Sequence, residues 1–246
     1  MTDIIELFEK QVFEIYSKEN LIALQDNEYS FGGVNVLEMT SISRKFSHLD
    51  SSFNTMKNTW DIIICNSDLR YFTALLYLYR PFINNPFDEM VHYDGRTIFT
   101  YFQNMYDHRY SQFASICFEK LYNYCDRIGD LLANCHQDKF RDPKKIFFPL
   151  VVDKLKLDIN IKNDTFFGEI LTYRDNVYKG HNEIRKEVVH YHQFETNYRY
   201  DFTMNSTNKE EITKLWDFKY GLPEYFKEQL DRSNHLFLNT FNFLSK

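Results

Sequence analysis

The apolar positions of this chain recur at helical rather than strand spacing over most of its length. In residues 2–19, Ile4, Ile5, Phe8, Val12, Phe13 and Tyr16 form one side of an amphipathic helix. Residues 20–48 break that rhythm. There Gly32-Gly33 sits between alternating apolar and polar positions, Tyr29-Ser-Phe-Gly-Gly-Val-Asn-Val, which predicts a short hairpin. Residues 52–80 are again helical and end before Pro81, and residues 81–95, with Pro81 and Pro86, predict a loop. A long helix follows over about 97–137, with Ile98, Phe102, Met105, Phe113, Ile116, Leu121, Tyr124, Ile128 and Leu132 as its stripe. Residues 145–158 predict a short helix despite Pro149. Residues 196–206 predict an irregular stretch or short strand, and 208–219 and 223–244 two closing helices split by Gly221 and Pro223. The sum is a mainly α fold: a helical bundle of about four or five core helices, with a small N-terminal β-hairpin and a C-terminal helical extension. It divides into an N-terminal elaboration (1–50), a helical core (51–195) and C-terminal helices packing on that core (196–246), all in a single structural unit.

The remaining stretch, 164–195, is the unusual one. Asp164 or Thr165 is its N-cap, and Phe167, Ile170, Leu171, Val177, Ile184 and Val188 are its apolar positions. At roughly 100° per residue, Arg174, His181, Arg185 and His192 fall within about 20° of one line, and that line runs through the apolar face. A surface helix carries its charges on the opposite side. An unpaired guanidinium in an apolar setting costs several kcal/mol, so these groups are paired, or they face a cleft or a partner. The stripe is either a core helix with satisfied polar groups, a salt-bridged dimer seam, or a site that handles phosphate, with Arg for the charge and His for the proton. Gly180 is the expected point of a bend, which would split the stripe into the pairs 174/181 and 185/192.

Composition narrows the choices. The chain has 246 residues, 43% of them hydrophobic, enough for one large domain with a real core. Aromatics make up 18%, but Phe, Tyr, Ile, Asn and Lys are abundant together, as in AT-biased genomes, so the aromatics are not taken as base-stacking platforms. Trp60 and Trp216 are expected as core anchors, and the trio Asp107-His108-Arg109 as a solvated helix face. The net charge of −6 speaks against a broad nucleic-acid surface and leaves room only for a local basic cleft. Cys65, Cys117, Cys125 and Cys135 form no C-x-x-C pair and no zinc spacing, so reduced thiols in a cytoplasmic protein are expected. The acidic, amphipathic N-terminus is not a signal peptide, and no run of about 18 apolar residues spans a membrane.

Arg174-Asp175-Asn176-Val177-Tyr178-Lys179-Gly180-His181 is an Arg-x6-His with Asp directly after the Arg. Arg185 with His190 makes an Arg-x4-His, and with His192 a second Arg-x6-His. This signature, late in a helical chain and after a long helix, resembles that of the HEPN superfamily. Leu121-Tyr-Asn-Tyr-Cys-Asp-Arg-Ile-Gly-Asp-Leu-Leu132 loosely resembles the long partner helix of such proteins. The resemblance covers about residues 55–195. It implies a metal-independent endoribonuclease without cofactor, active as a homodimer in which two motif helices share a cleft. It also implies kinship with toxins and abortive-infection factors that have an antitoxin or defence partner. In that role His181 is the acid or base and Arg174 the phosphate clamp, with Asn176, Tyr178, Arg185, His190 and His192 as supporting candidates. RNA would be left with 2′,3′-cyclic phosphate and 5′-OH ends. The residue types suit the chemistry independently, since cleavage of this kind needs a base for the 2′-OH and positive charge for the phosphorane-like transition state. The alternative implied by the same resemblance is a non-catalytic module that binds a nucleotide or a protein and dimerises. A third reading, a carboxylate di-metal bundle, rests on Glu187-x-x-His190 and Glu89-x-x-His92.

Overall fold

The computed structural model describes residues 2–26, 30–35, 55–140, 146–186 and 193–246, and these are mainly α-helical with two small antiparallel hairpins. In chain order the elements are α1 (Thr2–Lys18), β1 (Ser30–Phe31), β2 (Val34–Asn35), α2 (Thr55–Tyr79), β3 (Met90–Tyr93), β4 (Arg96–Phe99), α3 (Met105–Cys135) and α4 (Phe148–Leu155). They continue with α5 (Ile159–Lys162), α6 (Thr165–Tyr173), a π-helical turn (Arg174–Tyr178), α7 (Lys179–Lys186), α8 (Phe194–Met204), α9 (Lys209–Tyr220) and α10 (Leu222–Leu244). The chain forms two compact units whose segments alternate along the sequence. The first comprises Met1–Leu21, Arg70–Glu119 and Ile184–Glu228, the second Ile22–Leu69, Lys120–Glu183 and Gln229–Lys246.

The second unit holds a continuous aromatic and aliphatic core. Tyr124, Ile128 and Leu132 of α3, Phe148, Val151 and Val152 of α4, Phe167 and Ile170 of α6, and Phe237 and Phe241 of α10 all bury in it. A chain of buried amides runs through this core. Asn66 Oδ1 accepts from Leu24 N (2.8 Å), Asn66 Nδ2 donates to Asn234 Oδ1 (2.8 Å), and Asn234 Nδ2 donates to Ile22 O (2.9 Å). With its partners in place, such a network fixes one arrangement of α2, α10 and the strand-free segment at 22–24. Gly32 and Gly33 join β1 to β2 at φ 56° and 78°, the left-handed pair that a two-residue hairpin turn requires, as the Gly-Gly signal indicated.

The first unit buries Phe99 of β4, Tyr198 and Phe202 of α8, and Ile212 of α9 together. Three expectations are corrected here. Residues 90–99 form a second hairpin instead of loop and helix, turned by Asp94 and Gly95 at φ 48° and 71°. Asp-Gly is a strong turn signal that the neighbouring prolines obscured. Helix α3 consequently begins at Met105, where Asn104 and Asp107 cap reciprocally. Asp107 N donates to Asn104 Oδ1 (2.9 Å) and Asn104 N to Asp107 Oδ2 (3.2 Å). Residues 194–204 are helical, because Phe194, Tyr198 and Phe202 recur every four residues and all bury, while Tyr200 is exposed. Two smaller expectations also fail. Trp60 is partly exposed, and Asp107 is buried, with its Oδ1 accepting from Lys219 Nζ at 3.0 Å.

One contact in the second unit sets how closely two of its helices approach. A Cβ at Gly129 of α3 would lie 2.8 Å from Phe148 Cα and 2.9 Å from Phe148 N. A Cβ at Gly168 of α6 would meet nothing within 4 Å. Alanine is the better helix former by about 1 kcal/mol at either place, so propensity alone predicts the same gain. The close backbone contact reverses the sign at the first. We expect Gly129→Ala to lower stability by about 1–3 kcal/mol and Gly168→Ala to raise it by about 0.5–1 kcal/mol, read from urea denaturation of both variants.

Candidate functional site

Arg174 and His181 lie in the second unit, on the run formed by α6, the π-helical turn and α7. Asp164 starts the run as N-cap, its Oδ1 accepting from Phe166 N (2.8 Å) and Phe167 N (3.1 Å). After Tyr173 the backbone widens into the π turn. Asp175, Asn176 and Val177 are weak helix formers, so α geometry has least to lose there. At Lys179 the α-helix resumes, and it passes through Gly180 unbroken. The irregularity expected at Gly180 therefore falls in the turn before it. A wide turn alters the spacing of a straight helix, yet the face survives: Arg174 is 8%, Tyr178 3% and His181 2% exposed.

The Arg174 guanidinium is ion-paired with two carboxylates. Its Nη1 donates to Asp153 Oδ1 on α4, and its Nε lies 2.8 Å from Asp175 Oδ1. Burial works against its charge, but the Asp153 hydrogen bond and both carboxylates outweigh it and push the pKa up. Lys179 Nζ also approaches Asp175 Oδ1, at 3.3 Å. Burial raises the Asp175 pKa, yet Lys179 and Arg174 together hold the carboxyl below its usual range. Both partners of Arg174 reach solvent, Asp153 with 62% and Asp175 with 42% of its side chain exposed.

His181 has the opposite surroundings. Its ring meets Tyr178 edge-on at 5.2 Å between centroids and Tyr173 at 6.5 Å. Its Nε2 lies 4.0 Å from Cys125 Sγ, and its Nδ1 is buried without a hydrogen-bond partner among the described residues. Burial pulls its pKa from 6.5 to about 4, so the ring is neutral at neutral pH. Burial likewise pushes the Cys125 thiol up, which keeps it protonated and unreactive.

Of the supporting candidates, Tyr178 touches the His181 ring, while Asn176 is exposed on the turn. Arg185 is half-buried in α7 and belongs to the first unit. His190 and His192 lie outside the described residues, as does Glu187 of the di-metal reading. Its other half, Glu89 and His92, sits at a hairpin, with His92 in β3. Among the described residues no three His, Cys, Asp or Glu side chains gather as a metal ion requires. Nor is any described helix long and apolar enough to cross a membrane. Asp153 and Cys125, which complete the surroundings of Arg174 and His181, were not anticipated. Asp153 is the one acidic residue of the apolar segment 148–155, and that isolation was the available signal.

Neutral burial of His181 links stability to pH. The unfolded chain titrates this His near 6.5 and the folded chain near 4. Between those values the unfolded state binds more protons, so the stabilisation is complete above 6.5 and is lost as pH falls toward 4. His136, which burial also lowers, is shared by wild type and variant and cancels in the comparison. We expect the stability difference between wild type and His181→Gln to shrink by about 2 kcal/mol between pH 7 and pH 5 in parallel urea titrations.

No family model, curated protein or solved structure matches this chain.

Proposed function

We propose that this chain is a HEPN-like helical protein that acts by binding rather than by cleaving RNA: a module for a nucleotide or a protein partner that also dimerises. The 2% exposure of His181 carries this reading. A general base must come within about 3 Å of the proton it removes. His181 is enclosed by Tyr173, Tyr178 and Cys125, and a second copy of the chain would only bury it further. Arg174 meets the needs of a structural cation, since its charge is answered by carboxylates within the same unit. Binding also gives a use to the uncovered apolar residues of α1, where Ile4, Ile5, Leu7 and Phe13 are each more than half exposed.

A second reading, the metal-independent ribonuclease, has one observation in its favour. The carboxylates that hold Arg174 are solvent-accessible, so a phosphate arriving from solvent could replace one of them on the guanidinium. In that reading RNA is the substrate and an antitoxin or other defence partner restrains it.

Labelled RNA incubated with the chain in excess EDTA separates the two. We expect no cleavage by wild type and a dimer by light scattering. Cleavage that survives chelation, leaves 2′,3′-cyclic phosphate ends and disappears in Arg174→Ala and His181→Ala variants of normal helix content would install the ribonuclease reading instead.

A further inference from the structure

The first unit contains a cavity of about 110 Å³ whose buried wall is charged. Lys219 of α9 and Asp107 of α3 both line it, and each residue is 2% exposed. The carboxylate is fully engaged: Oδ1 accepts from Lys219 Nζ (3.0 Å), and Oδ2 accepts from Asn84 N (3.1 Å) and Asn104 N (3.2 Å). The ammonium is not. It has three N–H groups and gives one to Asp107; its charge is also felt by the Glu195 carboxylate, and it rests 4.6 Å from the centre of the Tyr198 ring. The Tyr101 hydroxyl also belongs to this wall, buried without a hydrogen-bond partner among the described residues. Two buried donors with unused capacity, one of them cationic, therefore line the cavity. At the exposed rim stand two carboxylates, Asp88 and Glu89.

A buried ion pair whose only role is structural needs neither a cavity beside it nor a second donor left unmet. The lining therefore joins buried donors with spare capacity, Lys219 and Tyr101, to the exposed carboxylates of Asp88 and Glu89. The volume holds on the order of eight water-sized groups, which excludes nucleotides and admits a molecule of a few heavy atoms. We propose that this cavity binds a small zwitterion, an α-amino acid with a minimal side chain, its carboxylate on Lys219 and Tyr101 and its ammonium at Asp88 and Glu89. The site lies wholly within the first unit and is independent of Arg174 and His181.

The test is calorimetric titration of the full chain with glycine, with acetate and with methylammonium. Glycine should bind saturably, with a Kd between about 10 µM and 10 mM for so small a ligand. Acetate and methylammonium should each bind at least about tenfold more weakly, since each satisfies one end only. Tyr101→Phe removes a buried hydroxyl that has no partner, so this variant should melt at or above wild type while losing about tenfold in glycine affinity. A purely structural Tyr101 would not part stability from binding in that way. Asp88→Asn with Glu89→Gln, both at the exposed rim, should weaken glycine and leave acetate unchanged. No saturable heat with glycine would overturn the proposal, as would acetate or methylammonium binding as tightly as glycine, or glycine affinity unchanged in Tyr101→Phe.

Discussion

The second unit depends on the absence of a side chain at position 129. With hydrogen there, α3 lets the backbone at Phe148 come closer than any Cβ would permit. The approach seats α4, whose N-terminal Phe147 offers no side-chain cap of its own. Asp126 of α3 serves in its place, Oδ1 accepting from Phe148 N at 3.3 Å. Phe148 is then fully buried, 5.3 Å from Tyr178 and 6.3 Å from Tyr173 between ring centroids. About a turn and a half further along, the same helix presents Asp153 to Arg174. Close packing of α3 against α4 thus reaches the candidate site twice, once through the aromatic wall around His181 and once through the carboxylate on Arg174.

Arg174 and His181 show two ways of placing a titratable group in an apolar setting. A guanidinium cannot give up its proton in a protein, so its burial requires counter-charge, and Asp153 and Asp175 supply it. An imidazole can become neutral, and His181 does so. Charge for a phosphate and a proton for catalysis were the reasons these residue types stood out in the sequence. In the folded chain the charge is already answered within the unit and the ring is neutral among Tyr173, Tyr178 and Cys125. The chemistry that a motif permits and the chemistry its surroundings leave accessible are separate questions, and burial decides the second.

Much of the fold was legible because its signals are local. Helical spacing located α1, α2, α9 and α10 to within a few residues, Gly32-Gly33 marked the first hairpin, and Asp164 marked the start of α6. Failures came where two local signals competed. Pro81 and Pro86 drew attention from Asp94-Gly95, and the alternation of Tyr198, Tyr200 and Phe202 imitated a strand although Phe194, Tyr198 and Phe202 bury at helical spacing. At the candidate site, the burial of Arg174 and His181 followed from the apolar stripe. The identity of their neighbours did not, because Asp153 and Cys125 come from other helices and nothing within 164–195 encodes their approach. The π turn was written in weak helix formers, Asp-Asn-Val, but such runs are common and most remain α-helical.

Lys219 of the first unit and Arg174 of the second are both buried cations, and their counter-ions differ in one respect that bears on function. Asp153 and Asp175 are solvated, so the charge on Arg174 is balanced from the outside and a solvent-borne anion can compete for it only against two carboxylates. Asp107 is as buried as Lys219, and backbone N–H groups of Asn84 and Asn104 saturate its second oxygen. It cannot rearrange to meet the remaining N–H groups of the ammonium, whose charge is otherwise felt by the Glu195 carboxylate, and the cavity offers room for a further partner. A buried cation with one fixed hydrogen-bond acceptor and open volume beside it keeps more unused donor capacity than one clamped by two carboxylates. On this ground the position that the sequence presented as a solvated charged trio has more unspent binding capacity than the motif that first drew attention.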